Sequence, residues 1–329
     1  MAISFSKRGE IMSKIKFEQV YLKFPGTKQP AVDGCSCEIE LGEFVVILGP
    51  SGCGKTTFLK MVNRLYEPTS GRIYLDGTNI QRIKATTLRR QIGYVIQQSG
   101  LFPHMTVAEN IAVVPKLLGW KKVKYQSRVD ELLELVHLPT SEFRDRYPAQ
   151  LSGGQQQRVG IARALAANPE VLLMDEPFGA IDAITRQSLQ EEMLRLQRQL
   201  KKTVLFVSHD VEEALHLADR IIVLNQGKIV QFDTPYNLLY QPANEFVEDL
   251  MGGKESLRQL SVLPVEKAMN AVGSDYRNEG KYTIAKEKNL RQALSRFLAT
   301  GAEQLTVVDD GKVIGVVTWN SIRDAAGKD

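Results

Sequence analysis

The stretch LGPSGCGKTTFLK, residues 48–60, follows the apolar run EFVVIL (43–48) and leads into MVNRLY (61–66). A packed core gains nothing from three glycines, a lysine and two threonines in that order. Glycine gives up backbone entropy on folding, and lysine is not buried without a partner. Something outside the chain therefore fills this turn. The segment fits G-x-x-x-x-G-K-[ST] with Gly49, Gly54, Lys55 and Thr56, after a predicted strand and before a predicted helix. A triphosphate needs several backbone N–H donors converging on its oxygens, with the helix N-terminus adding partial positive charge. Gly49, Pro50, Ser51, Gly52, Cys53, Gly54, Lys55, Thr56 and Thr57 are thus the candidate phosphate contacts. Lys55 is assigned to the β- and γ-phosphates of ATP and the Thr56 hydroxyl to Mg²⁺.

Around this loop the bulk properties narrow the classes. A chain of 329 residues has room for two domains, and its 43% hydrophobic and 24% charged residues are those of an ordinary globular protein. A net charge of +4 excludes a polycation that binds nucleic acid, and KKVK (121–124) reads as a solvated helix face. No run of eighteen apolar residues spans a bilayer. MAISFSKRGEIMSKIKF carries basic residues but no apolar segment of a secretory signal, so residues 1–13 are expected to be a disordered leader, with Met12 a candidate start. Three cysteines, Cys35, Cys37 and Cys53, argue for free thiols in a reducing compartment.

KIKFEQVYLKF, AVDGCSCEIEL and EFVVILG predict strands, TTFLKMVNRLY a helix and EPTSGRIYLDGTNI a hairpin turning at Asp76-Gly77. Residues 106–167 read as mostly helical. VLLMDEP and TVLFVSHD are short strands, each followed by a helical pattern, and RIIVLNQGKIVQFDTP closes as a hairpin at Gln226-Gly227. Strands alternating with helices imply a parallel sheet covered by helices. The pattern breaks at Met251-Gly252-Gly253, and a separate set of strand and helix signals follows, with a hairpin turn at Asp310-Gly311.

Two further motifs carry chemistry. In VLLMDEP (171–177) a buried strand delivers Asp175 at its carboxyl end, where it can hold magnesium, and Glu176 beside it faces the γ-phosphate and an attacking water. LSGGQQQRVGIARAL (151–165) places a serine and two glycines before a helix, a second helix N-terminus built for an anion. One nucleotide cannot engage both phosphate devices within a monomer. Leu151-Ser152-Gly153-Gly154-Gln155 matches the signature of the nucleotide-binding subunit of ABC transporters, which the sequence resembles over residues 14–250.

The resemblance implies an α/β P-loop fold with a mainly parallel sheet core, an antiparallel β subdomain and a helical subdomain. It implies two copies that sandwich two ATPs head to tail, the signature of one copy gripping the γ-phosphate bound by the other. It also implies that Phe24 stacks on adenine, although tyrosine is commoner there. Gln97 matches the glutamine that touches Mg²⁺ and water, with Gln98 as the alternative register. Asp182 in FGAID matches the aspartate crossing the dimer interface, and His209 the switch histidine at the γ-phosphate. YVIQQSGLFPHMTVAENIAVVPKLLGW (94–120) and MDEPFGAIDAITRQSLQEEMLRLQ (174–197) are similar to importers of glycine betaine, choline and carnitine. Such a subunit works with two transmembrane permease subunits and an extracytoplasmic substrate-binding protein, at the cytoplasmic face of the bacterial membrane. Residues 251–262 read as a linker, and 263–329 resemble a single small α+β CBS motif with a regulatory or structural role. An importer of another small solute, such as an amino acid, is the alternative, because the cargo never touches this subunit. A soluble ABC ATPase is the other, though it would usually carry two cassettes or coiled-coil insertions.

Overall fold

The computed structural model describes residues 13–96, 100–179, 181, 183–253, 255–272 and 282–326. The chain begins with the antiparallel pair β1 (Ser13–Leu22) and β2 (Val32–Glu40), then β3 (Phe44–Leu48), α1 (Lys55–Val62) and the hairpin of β4 (Ser70–Leu75) and β5 (Thr78–Asn79). Next come α2 (Ala85–Arg89), β6 (Ile92–Val95), α3 (Val107–Leu117), α4 (Lys122–Leu135), α5 (Thr140–Phe143) and α6 (Gly153–Leu165). The alternating part follows as β7 (Val171–Asp175), α7 (Ala183–Leu200), β8 (Thr203–Val207), α8 (Val211–Leu217), β9 (Arg220–Asn225) and β10 (Lys228–Asp233). The remainder is α9 (Pro235–Tyr240), α10 (Glu245–Met251), α11 (Ser256–Val262), β11 (Asn270–Ala271), β12 (Thr283–Ala285), α12 (Leu290–Thr300), β13 (Gln304–Asp309), β14 (Lys312–Thr318) and α13 (Trp319–Ala326).

Two compact units result. One is drawn from residues up to Asp210 and Leu217–Phe232, the other from Val211–His216 and the chain from Asp233 onward. In the first, β2-β1-β4-β5 form an antiparallel sheet, and β10-β9-β3-β8-β7-β6 form a larger one. There β3 pairs in parallel with both β8 and β9, β7 with β8, and β6 with β7. Every residue of β3, β7 and β8 is buried, which is why these strands read as unbroken apolar runs and not as alternation. Val45 and Ile47 on one face of β3 join Ile15, Phe17 and Ile39 of the antiparallel sheet and Phe58 of α1 in one core. Phe17 stacks on Phe58 with ring centroids 4.2 Å apart.

Polar groups inside this unit are paired where they hold segments together. Lys14, 3% exposed, gives its ammonium to Asp76 at 2.7 Å and to Glu170, joining β1, the β4–β5 turn and the approach to β7. Asn110 of α3 is fully buried; its Nδ2 donates to the carbonyls of Phe102, Met105 and Thr106, and its Oδ1 accepts from the Phe102 N–H. The KKVK segment is exposed throughout. Three hairpin turns, Asp76-Gly77, Gln226-Gly227 and Asp310-Gly311, have positive φ at both positions, as type I′ geometry demands.

The second unit carries a four-stranded sheet in the order β11-β14-β13-β12. Its chain order β12-α12-β13-β14-α13 encloses a core of Leu290, Phe297, Leu305, Val307, Val317 and Ile322. Gly252, left-handed at φ 66°, ends α10, which accounts for the break in the sequence pattern there. Among the described residues no helix is long and apolar enough to cross a membrane.

Candidate active site

The parallel register brings three strand ends to one edge of the large sheet. Asp175 pairs with Val207, and Val207 with Ile47, so the segments following β7, β8 and β3 emerge side by side. The turn after β3 must be glycine for steric reasons the sequence does not display. A Cβ at Gly49 would sit 2.1 Å from the Leu224 carbonyl oxygen, and one at Gly54 would sit 2.2 Å from that of Ala31. The loop is thus pressed against the end of β9 and the β1–β2 connection, with Gly227 of the β9–β10 turn donating its N–H to the Cys53 carbonyl at 2.9 Å. Lys55, 6% exposed, donates its ammonium to the carbonyls of Gly49 (2.8 Å) and Pro50 (2.9 Å). Burial raises the Cys53 thiol above its ordinary range against the opposing charge of Lys55, so it stays protonated. All three cysteines are free, and burial raises Cys35 to about 11.

Thr56, the second residue of α1, reaches across 119 residues of sequence: its hydroxyl donates to Asp175 Oδ1 at 2.7 Å. Glu176, next in the chain, is a non-glycine residue at φ 45°, held there as its N–H donates to the Val207 carbonyl at 3.1 Å. Such strain persists only where the surroundings impose it, and it collects at functional sites. The turn swings the Glu176 carboxylate to 3.4 Å from Nδ1 of His209, which follows β8. P-loop, Asp175, Glu176 and His209 are therefore one constellation. Phe24, half-buried in the β1–β2 connection, meets Tyr66 edge-on with centroids 5.2 Å apart. Gln97 and Asp182 lie outside the described residues.

Ser152 is the N-cap of α6. It accepts from the Gln155 N–H at 3.3 Å, while the Gln155 side chain accepts from the Ser152 N–H at 2.9 Å. Leu151 is buried and anchors the turn. A Cβ at Gly153 would meet nothing within 4 Å, so this chain's own packing does not require a glycine there.

Two neighbours of the site escaped the motif reading. Lys60 places its ammonium 3.7 Å from Asp175 Oδ2. It lies four residues beyond Thr56, on the same helix face, and that spacing is the signal that could have found it. The Tyr94 hydroxyl on β6 is buried without a hydrogen-bond partner among the described residues, and burial together with the Asp175 charge pushes its pKa well up.

A family model described as ABC transporter matches residues 32–179. The glycine betaine/carnitine/choline transport ATP-binding protein OpuCA of Bacillus subtilis (strain 168) is 52% identical over 302 residues, 91% of this chain and 77% of its own. The glycine betaine uptake system ATP-binding protein YehX of Escherichia coli (strain K12) is 47% identical over 310 residues, 94% of this chain and 98% of its own. The chain belongs to the ATP-binding subunits of ABC transporters. Among solved structures, the ATP-binding cassette MJ0796, in a dimeric post-hydrolysis state bound to ADP and Pi, matches with a TM-score of 0.60 at 35% identity. That match covers 67% of this chain and 98% of MJ0796. The fold expected from the motifs, a P-loop cassette with mixed sheets and a helical insertion, is the fold observed, and the ABC cassette is an ATPase that binds ATP.

Proposed function

We propose that this ABC ATPase powers import of quaternary-ammonium osmoprotectants (glycine betaine, choline, carnitine) by closing head to tail with a second copy around ATP. The observation that carries the chemistry is the shared strand edge, where Thr56 bonds Asp175 and Glu176 sits 3.4 Å from His209. The cargo is supported by the printed roles of OpuCA and YehX, which match over more than nine-tenths of this chain.

Each residue then has a distinct task. The backbone of Gly49 to Thr57 cradles the triphosphate, and Lys55 meets its β- and γ-oxygens. A hydroxyl 2.7 Å from a carboxylate is a hard-oxygen pair suited to Mg²⁺, so Thr56 and Asp175 are the residues that would hold it, with Gln97 assigned to it by the family resemblance alone. Magnesium, when bound, neutralises charge on the phosphate oxygens. Glu176 accepts the proton of the attacking water, and His209 steadies that carboxylate and contacts the γ-phosphate. Phe24 stacks on the adenine. Leu151 to Gln155 serve the nucleotide of the partner copy, and Asp182 crosses between copies; the dimeric state of MJ0796 supports this arrangement. Residues 14–250 form the cassette, 251–262 the linker and 263–329 a CBS-like regulatory domain. The pair docks on two permease subunits at the cytoplasmic face of the membrane, fed by an extracytoplasmic binding protein.

The test is uptake of radiolabelled glycine betaine by cells that lack the endogenous subunit and express this chain with its permease and binding protein. Wild type should restore uptake that excess choline or carnitine suppresses, and Lys55→Ala should abolish it. Suppression by an amino acid and by no quaternary ammonium would reject the cargo.

A further inference from the structure

The two oxygens of the Asp175 carboxylate have different neighbours. Oδ1 accepts from the Thr56 hydroxyl at 2.7 Å, and Oδ2 faces the Lys60 ammonium at 3.7 Å. Thr56 and Lys60 stand four residues apart on α1, so one helix face brings both to the end of β7. Burial of Phe58, Leu59, Met61 and Val62 around them holds the helix in that orientation. Lys55, on the same helix, gives its ammonium to the Gly49 and Pro50 carbonyls instead. Among the described residues Lys60 is the one cation within 4 Å of Asp175.

At 3.7 Å the Lys60 ammonium lies beyond hydrogen-bond range, so it does not aim the carboxylate. Aim comes from the Thr56 hydroxyl and from burial, since the Asp175 side chain is only 11% exposed. What Lys60 adds is a positive charge. Its side chain is 28% exposed, so water and salt screen that charge in part.

The carboxylate that Lys60 faces is the one assigned to magnesium. Two cations on one carboxylate weaken each other, because each meets a charge the other has offset and the two repel. We propose that Lys60 sets the metal affinity of the site, its ammonium opposing a divalent cation at Asp175. One carboxylate and one hydroxyl beside an ammonium hold a divalent cation poorly by themselves. Oxygens of the triphosphate complete the site, so Lys60 makes retention of the metal depend on the nucleotide. This inference rests on the assignment of Thr56 and Asp175 to the metal above.

The test is Mn²⁺ binding to the full-length chain by electron paramagnetic resonance, with the protein in excess over a non-hydrolysable ATP analogue. Lys60→Met removes the charge and keeps the aliphatic length. It should tighten Mn²⁺ binding about three- to thirtyfold, the range for one charge a few ångströms away at a partly screened position. Lys60→Gln should act in the same direction and decides the matter if Lys60→Met folds poorly. Lys60→Arg keeps the charge and should leave the affinity near that of wild type. The gain is diagnostic, because a merely structural role of Lys60 would weaken the metal. Unchanged or weaker Mn²⁺ binding in a folded Lys60→Met or Lys60→Gln protein overturns the proposal. Asp175→Asn should weaken Mn²⁺ by itself; full affinity in that variant would reject Asp175 as a metal residue, and the proposal with it.

Discussion

Gly54→Ala probes why the phosphate loop has its glycines, and Gly52→Ala in the same loop is its control. Both positions have positive φ, 107° and 78°, so alanine at either costs about 1–2 kcal/mol of backbone strain. Only Gly54 adds a collision. Its Cβ would lie 2.2 Å from the Ala31 carbonyl oxygen, whereas a Cβ at Gly52 meets nothing within 4 Å. Neither partner can step aside, since the Ala31 N–H donates to Leu22 at 2.8 Å and the Gly54 carbonyl accepts from Phe58 at 2.8 Å. Overpacking of this kind costs about 1–3 kcal/mol. In a unit of roughly 200 residues each kcal/mol lowers Tm by about 2–4 °C, so Gly54→Ala should unfold about 2–12 °C below Gly52→Ala. The assay is circular-dichroism melting without nucleotide, because the open side of Gly52 is where the triphosphate is expected. Equal melting temperatures would refute the steric argument.

Two further substitutions test the packing that supports the site. Asn110→Ala takes the side-chain partner from the Phe102 N–H and the Met105 carbonyl, while the Phe102 and Thr106 carbonyls keep the Met105 and Asn110 backbone N–H groups, and should cost about 2–6 kcal/mol in urea unfolding at roughly 1–3 kcal/mol per buried group left unpaired. Lys14→Met should flatten the acid side of the stability curve. The hydrogen bond and charge of Lys14 hold Glu170 below its ordinary 4.5, so the pair contributes above that pH and is lost as pH falls through the lowered value; melting curves from pH 3 to 7 check this.

What could be read from the sequence and what could not divide on physical grounds. The P-loop, the Asp175-Glu176 pair and the three hairpin turns were legible because local backbone chemistry dictates them: positive φ calls for Gly, Asn or Asp, and a strand end delivers a carboxylate. The β3, β7 and β8 runs were legible as buried strands for the same local reason. Asn110 was not, because an asparagine in a helix looks like a solvated residue until the loop it holds is folded around it. Lys14 reads as a surface lysine and is 3% exposed, since its two carboxylate partners lie 62 and 156 residues away. Residues Val211–His216 of α8 belong to the second unit, and no local signal in VEEALHL announces it. Likewise Gly153 reads as an anion turn, yet only the structure shows that nothing in its own chain needs the missing side chain.

The central claim is that two copies close on ATP, with Ser152 of one serving the nucleotide bound by the other. The most direct measurement is the mass of the Glu176→Gln protein by light scattering, with and without Mg-ATP. Glutamine keeps the shape of Glu176 but cannot take the proton, so turnover should fall by about 10²–10⁴ and the closed state should persist. The account predicts one chain's mass without nucleotide and twice that mass with it. It also predicts that adding Ser152→Arg returns the mass to one chain. A Glu176→Gln protein that binds ATP at saturation, yet keeps the mass of a single chain, would contradict the account.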